Sequence, residues 1–341
     1  MRIGLIDVDN RNRLHDCFPN IVLMKISSWH KKQGDSVEWF QPLIGGHYNR
    51  VYMSKVFSFS PDYEYFIDAD EVIKGGSGYA IRLVDDKEVY DKTIDNNLPY
   101  EIEHMMPDYS LYFNDSVDFD MNGKLTRLGV KHRDTAYGFM SRGCPRGCDF
   151  CHVKSKDGLR SVKVADLKEF WSGQKHIELL DPNTLACLDW EDILTQLIES
   201  KAKVCFNQGL DIRMMTTKKA EMLSKINVEK IHFAWDRYED KDIIQPLFEK
   251  FRQVSHIRNK DLQVYVLTNF NSTHVQDLYR VEWLKEHGFA PYVMVYNKHG
   301  LPKGHITLRL QRYVNNRAIF WSIGSFAEYK RRADEQINSV K

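Results

Sequence analysis

The chain has 341 residues, of which 43% are hydrophobic and 28% charged, and its 48 Lys+Arg against 47 Asp+Glu leave a net charge of +1. Such ordinary globular usage excludes a disordered, collagenous or coiled-coil chain, and the length fits two domains or one barrel with an extension. The balanced charge removes a bulk electrostatic case for nucleic acid while leaving a local patch open, and 6 cysteines are too few for a disulfide scaffold.

The N-terminal apolar run is broken by Asp7 and Asp9, unlike a secretory signal. No apolar stretch approaches the roughly 20 residues needed to cross a bilayer. The expectation is therefore no membrane and a cytoplasmic, reducing environment. Residues 3–8 read as a buried parallel strand. A helix is predicted over 20–33, because Lys31, Lys32 and Gly34 supply a basic last turn and a glycine stop. Strands are predicted over 36–40, 51–59 and 71–74, the last running into Gly75-Gly76-Ser77-Gly78, a loop that could also cradle a phosphate. The stretch after Phe59 is too short for a full crossover helix. Residues 1–97 thus read as a small Rossmann-like open α/β domain. Residues 98–135, with Pro99, Pro107 and the acidic run 115–120, read as an irregular linker held down by its aromatics.

From residue 136 a second rhythm starts. Strands are predicted over 136–140, 176–180, 204–207, 230–235, 263–268 and 292–296. Helices between them open at Asp166 (a capping box with Glu169, stopping at Gly173), Asp189, Thr217 and Ser272, and another carries Ile243, Leu247, Phe248 and Phe251. The module has the size of a βα unit. Eight would need about 250 residues. The expected fold class is therefore α/β, a partial (β/α)6 TIM-like barrel over residues 136–307. The basic and aromatic tail, 308–341, reads as a helix covering the open side of the barrel, with a nucleic-acid surface as the sharper alternative.

The segment Arg142-Gly143-Cys144-Pro145-Arg146-Gly147-Cys148-Asp149-Phe150-Cys151-His152 follows the first predicted barrel strand. Three thiolates spaced C-x3-C-x2-C on one loop can reach three corners of a cuboidal iron–sulfur cluster. No fourth cysteine follows at similar spacing, so one iron stays open, as a catalytic metal requires. The alternative is a zinc site with His152 as fourth ligand. Adjacent Cys151 and His152 are awkward joint ligands, and zinc does not explain the βα units. Cys187 and Cys205 read as buried small hydrophobes, and Cys17 stands alone.

On the triplet, on Phe150 in the aromatic position before the third cysteine, and on the βα rhythm, residues 136–296 resemble the radical S-adenosylmethionine superfamily. The resemblance implies a [4Fe-4S] cluster held by Cys144, Cys148 and Cys151, with S-adenosylmethionine chelated on the open iron. Reductive cleavage would yield a 5′-deoxyadenosyl radical that abstracts hydrogen from a substrate, with a flavodoxin- or ferredoxin-type protein as reductant. Where the family often has Gly-Gly-Glu, this chain has Leu180-Asp181-Pro182-Asn183, so Asp181 or Asn183 would have to contact the methionine amino group. Gln208 or Asp211 would hold the ribose hydroxyls, and Arg213 would clamp the carboxylate, a helix cap or barrel salt bridge being the alternative for each. Asp236, Asn269 and Asn297, at later strand ends, would line a cavity or cap helices.

The order of elements in residues 1–97 resembles the cobalamin-binding domain found ahead of many such barrels. Its Asp-x-His-x-x-Gly signature would fall on residues 7–12, where Asp9 replaces the histidine and Asn12 the glycine. Cobalamin binding is therefore disfavoured. The expected function is a radical S-adenosylmethionine enzyme acting on a small molecule, peptide or RNA. The alternatives are a tRNA-modifying member of that superfamily and a non-catalytic binding protein stabilised by its cluster or metal.

Overall fold

The computed structural model describes residues 1–10, 18–84, 87–112 and 134–329. Asn12, Cys17, the acidic run 115–120 and Lys330, Arg331 and Arg332 lie outside the described residues. The chain divides into two compact units, Met1–Lys203 and Val204–Lys341.

The first unit opens with β1 (Arg2–Asp7), α1 (Ile21–Lys32), β2 (Ser36–Trp39), β3 (Tyr48–Ser54) and β4 (Ala69–Gly75). Its four strands form a parallel sheet in the order β2-β1-β3-β4. Strand alternation sorts the core. Ile3, Leu5 and Tyr52 pack against Leu23, Met24 and Ile26 of α1. Ile6, Val8, Val51 and Met53 fill a second cluster. α1 starts where Asn20 accepts the Leu23 N–H at 3.2 Å and ends on Lys31 and Lys32, whose charges suit the negative end of the helix.

The third strand differs from the sequence reading. It ends at Ser54 rather than near Phe59, because the Asp9 carboxylate takes the N–H groups of Val56 and Phe57 at 2.6 and 3.3 Å. Phe57 and Phe59 are exposed beyond it. The crossover over 55–68 contains no helix, as its length foretold. In the glycine loop, which runs into α2 (Ser77–Ala80), the Gly78 N–H donates to the Lys55 carbonyl at 2.9 Å. A Cβ on Gly76 or Gly78 would meet the backbone of Lys55 or Phe57. These glycines serve the close approach of two backbone segments.

A hairpin of β5 (Ile81–Val84) and β6 (Lys87–Tyr90) follows, then α3 (Tyr100–Glu103). The described part of the expected linker is packed: Ile102, Leu111 and Tyr112 join the cluster around α1. Next come β7 (Thr135–Gly138), β8 (Ser141–Arg142), α4 (Val153–Lys156), β9 (Val162–Lys163), β10 (His176–Leu179) and α5 (Trp190–Ser200). β7 and β10 pair in parallel. The Asp166–Glu169 capping box is present, but it opens only a 3-10 turn, Leu167–Glu169, and no helix reaches Gly173. Phe170 leaves helical geometry and buries its ring where Gly138 has no side chain.

The second unit alternates β11 (Lys203–Leu210), α6 (Thr217–Lys225), β12 (Val228–Ala234), α7 (Lys241–Val254), β13 (Leu262–Thr268), α8 (His274–Glu286) and β14 (Ala290–Val295), then α9 (Ile306–Asn315) and α10 (Arg317–Ser322). β11 to β14 are parallel and adjacent in chain order. α8 is capped by Thr273, in a capping box with Gln276, one residue beyond the expected Ser272, whose hydroxyl instead donates to Asp277 at 2.6 Å. Tyr313, Phe320 and Phe326 are buried with Val281 and Val293. The described tail is thus a helical cover whose aromatics are mostly core. The chain as a whole is mixed α/β, built on parallel sheets, and among the described residues no helix is long and apolar enough to cross a membrane.

Candidate functional site

The cysteine triplet lies on the loop that leaves the C-terminal end of β7. A two-residue ladder, Ser141 with Lys163 and Arg142 with Val162, closes the neck of that loop. Arg142 braces the neck. Its guanidinium lies 4.1 Å from the centre of the Phe139 ring and reaches Glu103 at 3.6 Å and Asp157 at 3.8 Å. Inside the neck the Cys144 N–H donates to the Gly158 carbonyl at 3.2 Å, and the Cys151 N–H donates to the Cys148 carbonyl at 3.1 Å. Gly143 has φ +86°, and a Cβ there would run into the Arg160 carbonyl oxygen. The motif glycine is therefore demanded by the turn itself. Cys144, Cys148 and Cys151 are each partly exposed, as are Phe150 and His152. Among the described residues no group of three or more His, Cys, Asp or Glu side chains is placed to hold a metal ion.

The loop after β10 meets the start of this loop. Asp181 is 3% exposed and accepts the Met140 N–H at 2.7 Å, the Ser141 N–H at 2.9 Å, the Ser141 hydroxyl at 2.6 Å and the Thr184 hydroxyl at 3.3 Å. Burial pushes its carboxyl up to about 6, outweighing those donors, which pull it down. Asp181 is thus committed to holding the chain that leads into the triplet. Asn183 is different. Its amide nitrogen donates to the Cys144 sulfur at 3.5 Å, its carbonyl accepts the Ser161 hydroxyl at 3.1 Å, and its side-chain oxygen is buried with no hydrogen-bond partner. An orphaned buried acceptor costs free energy unless a ligand donor meets it.

The remaining expected contacts lie in the second unit. β11 runs past Asn207 to Leu210 through a register shift, which leaves Gln208 exposed. Asp211 caps the 3-10 turn Ile212–Met214 through the Arg213 N–H at 3.0 Å. The Arg213 guanidinium is held at 2.8 Å by Asp211 and at 2.8 Å by Asp240. Nearby, burial pushes the Asp236 carboxyl up to about 6, while Arg280 and Arg213 pull it down. Arg280 is fully buried and ties β12 to β13 by donating to the carbonyls of Trp235 and Leu267 at 2.7 and 2.8 Å. The Asn269 side chain donates to the Tyr296 carbonyl at 2.9 Å across the ends of β13 and β14, and Asn269 and Asn297 both take left-handed backbone conformations.

Sequence reading missed Arg142, Asp157 and Glu103 as the brace of the loop neck, and Ser141 and Thr184 as partners of Asp181. Arg142 was visible as the residue before the motif glycine, but nothing in the sequence pairs it with groups 15 and 39 positions away. No protein-family model matches the chain, and no curated protein matches it.

Proposed function

We propose that the chain is a radical S-adenosylmethionine enzyme in which Cys144, Cys148 and Cys151 hold a [4Fe-4S] cluster. The strand–helix alternation after residue 136 is read as a partial (β/α)6 barrel behind it, with a Rossmann-like domain ahead. The observation that carries this reading is the contact between Asn183 and Cys144 at 3.5 Å. It joins the triplet loop to the loop after β10, at the same end of a parallel strand pair, where βα folds place their chemistry.

When bound, the reduced cluster supplies the electron that cleaves S-adenosylmethionine to methionine and a 5′-deoxyadenosyl radical. The chain's own part is positional. Three thiolates leave one iron without a protein ligand. Cluster binding would take the protons of the three thiols, because only the metal offsets the mutual repulsion of three neighbouring thiolates. Asp181 keeps the Met140–Ser141 backbone in place. Asn183 donates to the Cys144 sulfur and would offer its orphaned oxygen to an N–H of the methionine amino group. Arg213 we assign to its ion pairs, since two carboxylates already meet its charge. We assign no cobalamin: Asp9, at the position of the missing histidine, spends its oxygens on the Val56 and Phe57 amides. A flavodoxin- or ferredoxin-type reductant and a cytoplasmic setting accompany the reading.

The test is anaerobic reconstitution of the full chain with iron and sulfide, then dithionite and S-adenosylmethionine, with 5′-deoxyadenosine read by mass spectrometry. The native chain and Cys205→Ala should bind iron and form it. The variant with Cys144, Cys148 and Cys151 all changed to Ala should do neither. Full iron content in that variant, or no 5′-deoxyadenosine from cluster-loaded native chain, overturns the proposal.

A further inference from the structure

One face of the four-stranded sheet is only partly covered. α1 packs over β1 and β3, while the helix-free crossover 55–68 sends Tyr63 and Ile67 to the opposite face and so adds no cover beside α1 over β3 and β4. Between α1, this face and residues 96–102 lies a cavity of about 380 Å³. That volume falls in the range of roughly 300–1,000 Å³ usual for small-molecule sites.

The floor is built from three cross-strand pairs, Arg50 with Glu71, Tyr52 with Ile73, and Ser54 with Gly75. Strand alternation points all six to the same face. At one end the small Ser54 stands opposite bare Gly75, where two aliphatic side chains would close the sheet. Nothing in the backbone demands that glycine. Its φ is not positive, and a Cβ would meet nothing nearer than the Asn96 carbonyl oxygen at 3.5 Å. The space itself is what the small residues provide. Trp29 and Leu98 supply apolar walls.

The polar groups have a fixed sense. His30 is fully buried, and its Nδ1–H donates to Asp35 at 2.7 Å, which leaves Nε2 to accept the Tyr52 hydroxyl proton at 3.0 Å. Arg50 Nη1–H donates to the Tyr52 oxygen at 3.3 Å. The Tyr52 hydroxyl proton is therefore spent, and the Arg50 guanidinium is a charged donor in the cavity lining. Arg50 is also paired with Glu71 at 2.6 Å. The pair cancels the charge and leaves N–H donors, which favours a neutral acceptor over an anion.

We propose that this cavity is a binding site for a neutral, largely apolar molecule bearing a carbonyl-type acceptor. No residue of the cysteine loop lines the site, and the proposal does not depend on the reading of that loop. The probe is prodan, a neutral planar naphthyl ketone dye, titrated into the full chain, with the anionic dye anilinonaphthalene sulfonate as the comparison. Prodan should bind saturably at one site with blue-shifted emission, and more tightly than the sulfonate. Gly75→Leu and Ile73→Trp, which fill the cavity, should abolish binding while near-ultraviolet circular dichroism stays native. Arg50→Gln should weaken it about tenfold, the loss of one hydrogen bond from a charged donor. Should Gly75→Leu fail to fold, Ile73→Trp decides. Absence of saturable binding, unchanged binding in a folded cavity-filling variant, or tighter binding of the sulfonate at that site overturns the proposal.

Discussion

The amide of Asn183 donates to the sulfur of Cys144 at 3.5 Å from a side chain that is 2% exposed. A buried N–H aimed at a cluster thiolate stabilises the reduced, more negative state. Asn183→Leu, similar in size but without the donor, should make the midpoint potential of the reconstituted cluster more negative. One hydrogen bond of about 0.5–1.5 kcal/mol corresponds to roughly 20–65 mV for one electron. A redox titration followed by electron paramagnetic resonance measures it. An unchanged potential would mean that the contact does not persist around a cluster.

Gly143 and Gly147 flank Cys144 with φ of +86° and +58° but in different surroundings. A methyl group at Gly143 strikes the Arg160 backbone, which the neck ladder holds still, whereas at Gly147 it meets the flexible end of Leu159 at 3.2 Å. Gly143→Ala should lose most of its iron on reconstitution. Gly147→Ala should keep its iron and lose about 1–2 kcal/mol of stability, the left-handed penalty for an L side chain. Iron per chain together with urea unfolding separates the two.

Arg213 bridges Asp211 and Asp240 beside the half-buried Asp236. Removing the cation leaves carboxylates facing one another. Arg213→Ala should therefore cost about 1–2 kcal/mol, discounted for partial solvent screening, and Arg213→Lys should recover only part, because an ammonium lacks the fork that spans two carboxylates. The urea midpoint reports the loss. A native midpoint combined with weakened S-adenosylmethionine binding would instead restore Arg213 as a ligand clamp.

His30 is buried between Asp35 and Tyr52, and burial holds its pKa below the ordinary 6.5, against the pull of Asp35 and with a small push from Arg50. In the unfolded chain the imidazole takes a proton at pH about 6.5, while in the folded chain it resists until lower pH. Stability from this group is thus present above that value and lost as pH falls from about 6.5 toward the folded pKa. Thermal unfolding between pH 7.5 and about 5 should show this decline, and His30→Gln should flatten it. An equally steep decline in His30→Gln would assign the dependence to another group.

Much of the architecture was legible along the chain because it rests on local rules. The strand–helix alternation, the basic end of α1 and the missing helix after β3 all follow from spacing and from residues at fixed offsets. The cysteine spacing and the motif glycine belong to the same class, since a tight loop is determined by its own dihedral angles. Boundaries failed where a distant group intervened. β3 stops early because Asp9 captures two amides 47 and 48 residues away, and the helix expected from Asp166 to Gly173 gives way to the burial of Phe170 over Gly138. The chemical meaning of the strand-end residues was also decided only in three dimensions. Asp181, Asn183 and Arg213 look interchangeable in sequence as polar residues after strands. Folding spends the carboxylate of Asp181 on backbone donors and the charge of Arg213 on two acids, and leaves Asn183 with an unpaired buried oxygen beside Cys144. Whether a polar group is satisfied depends on partners that only the tertiary fold brings within about 3 Å, and that is not encoded in the residue type.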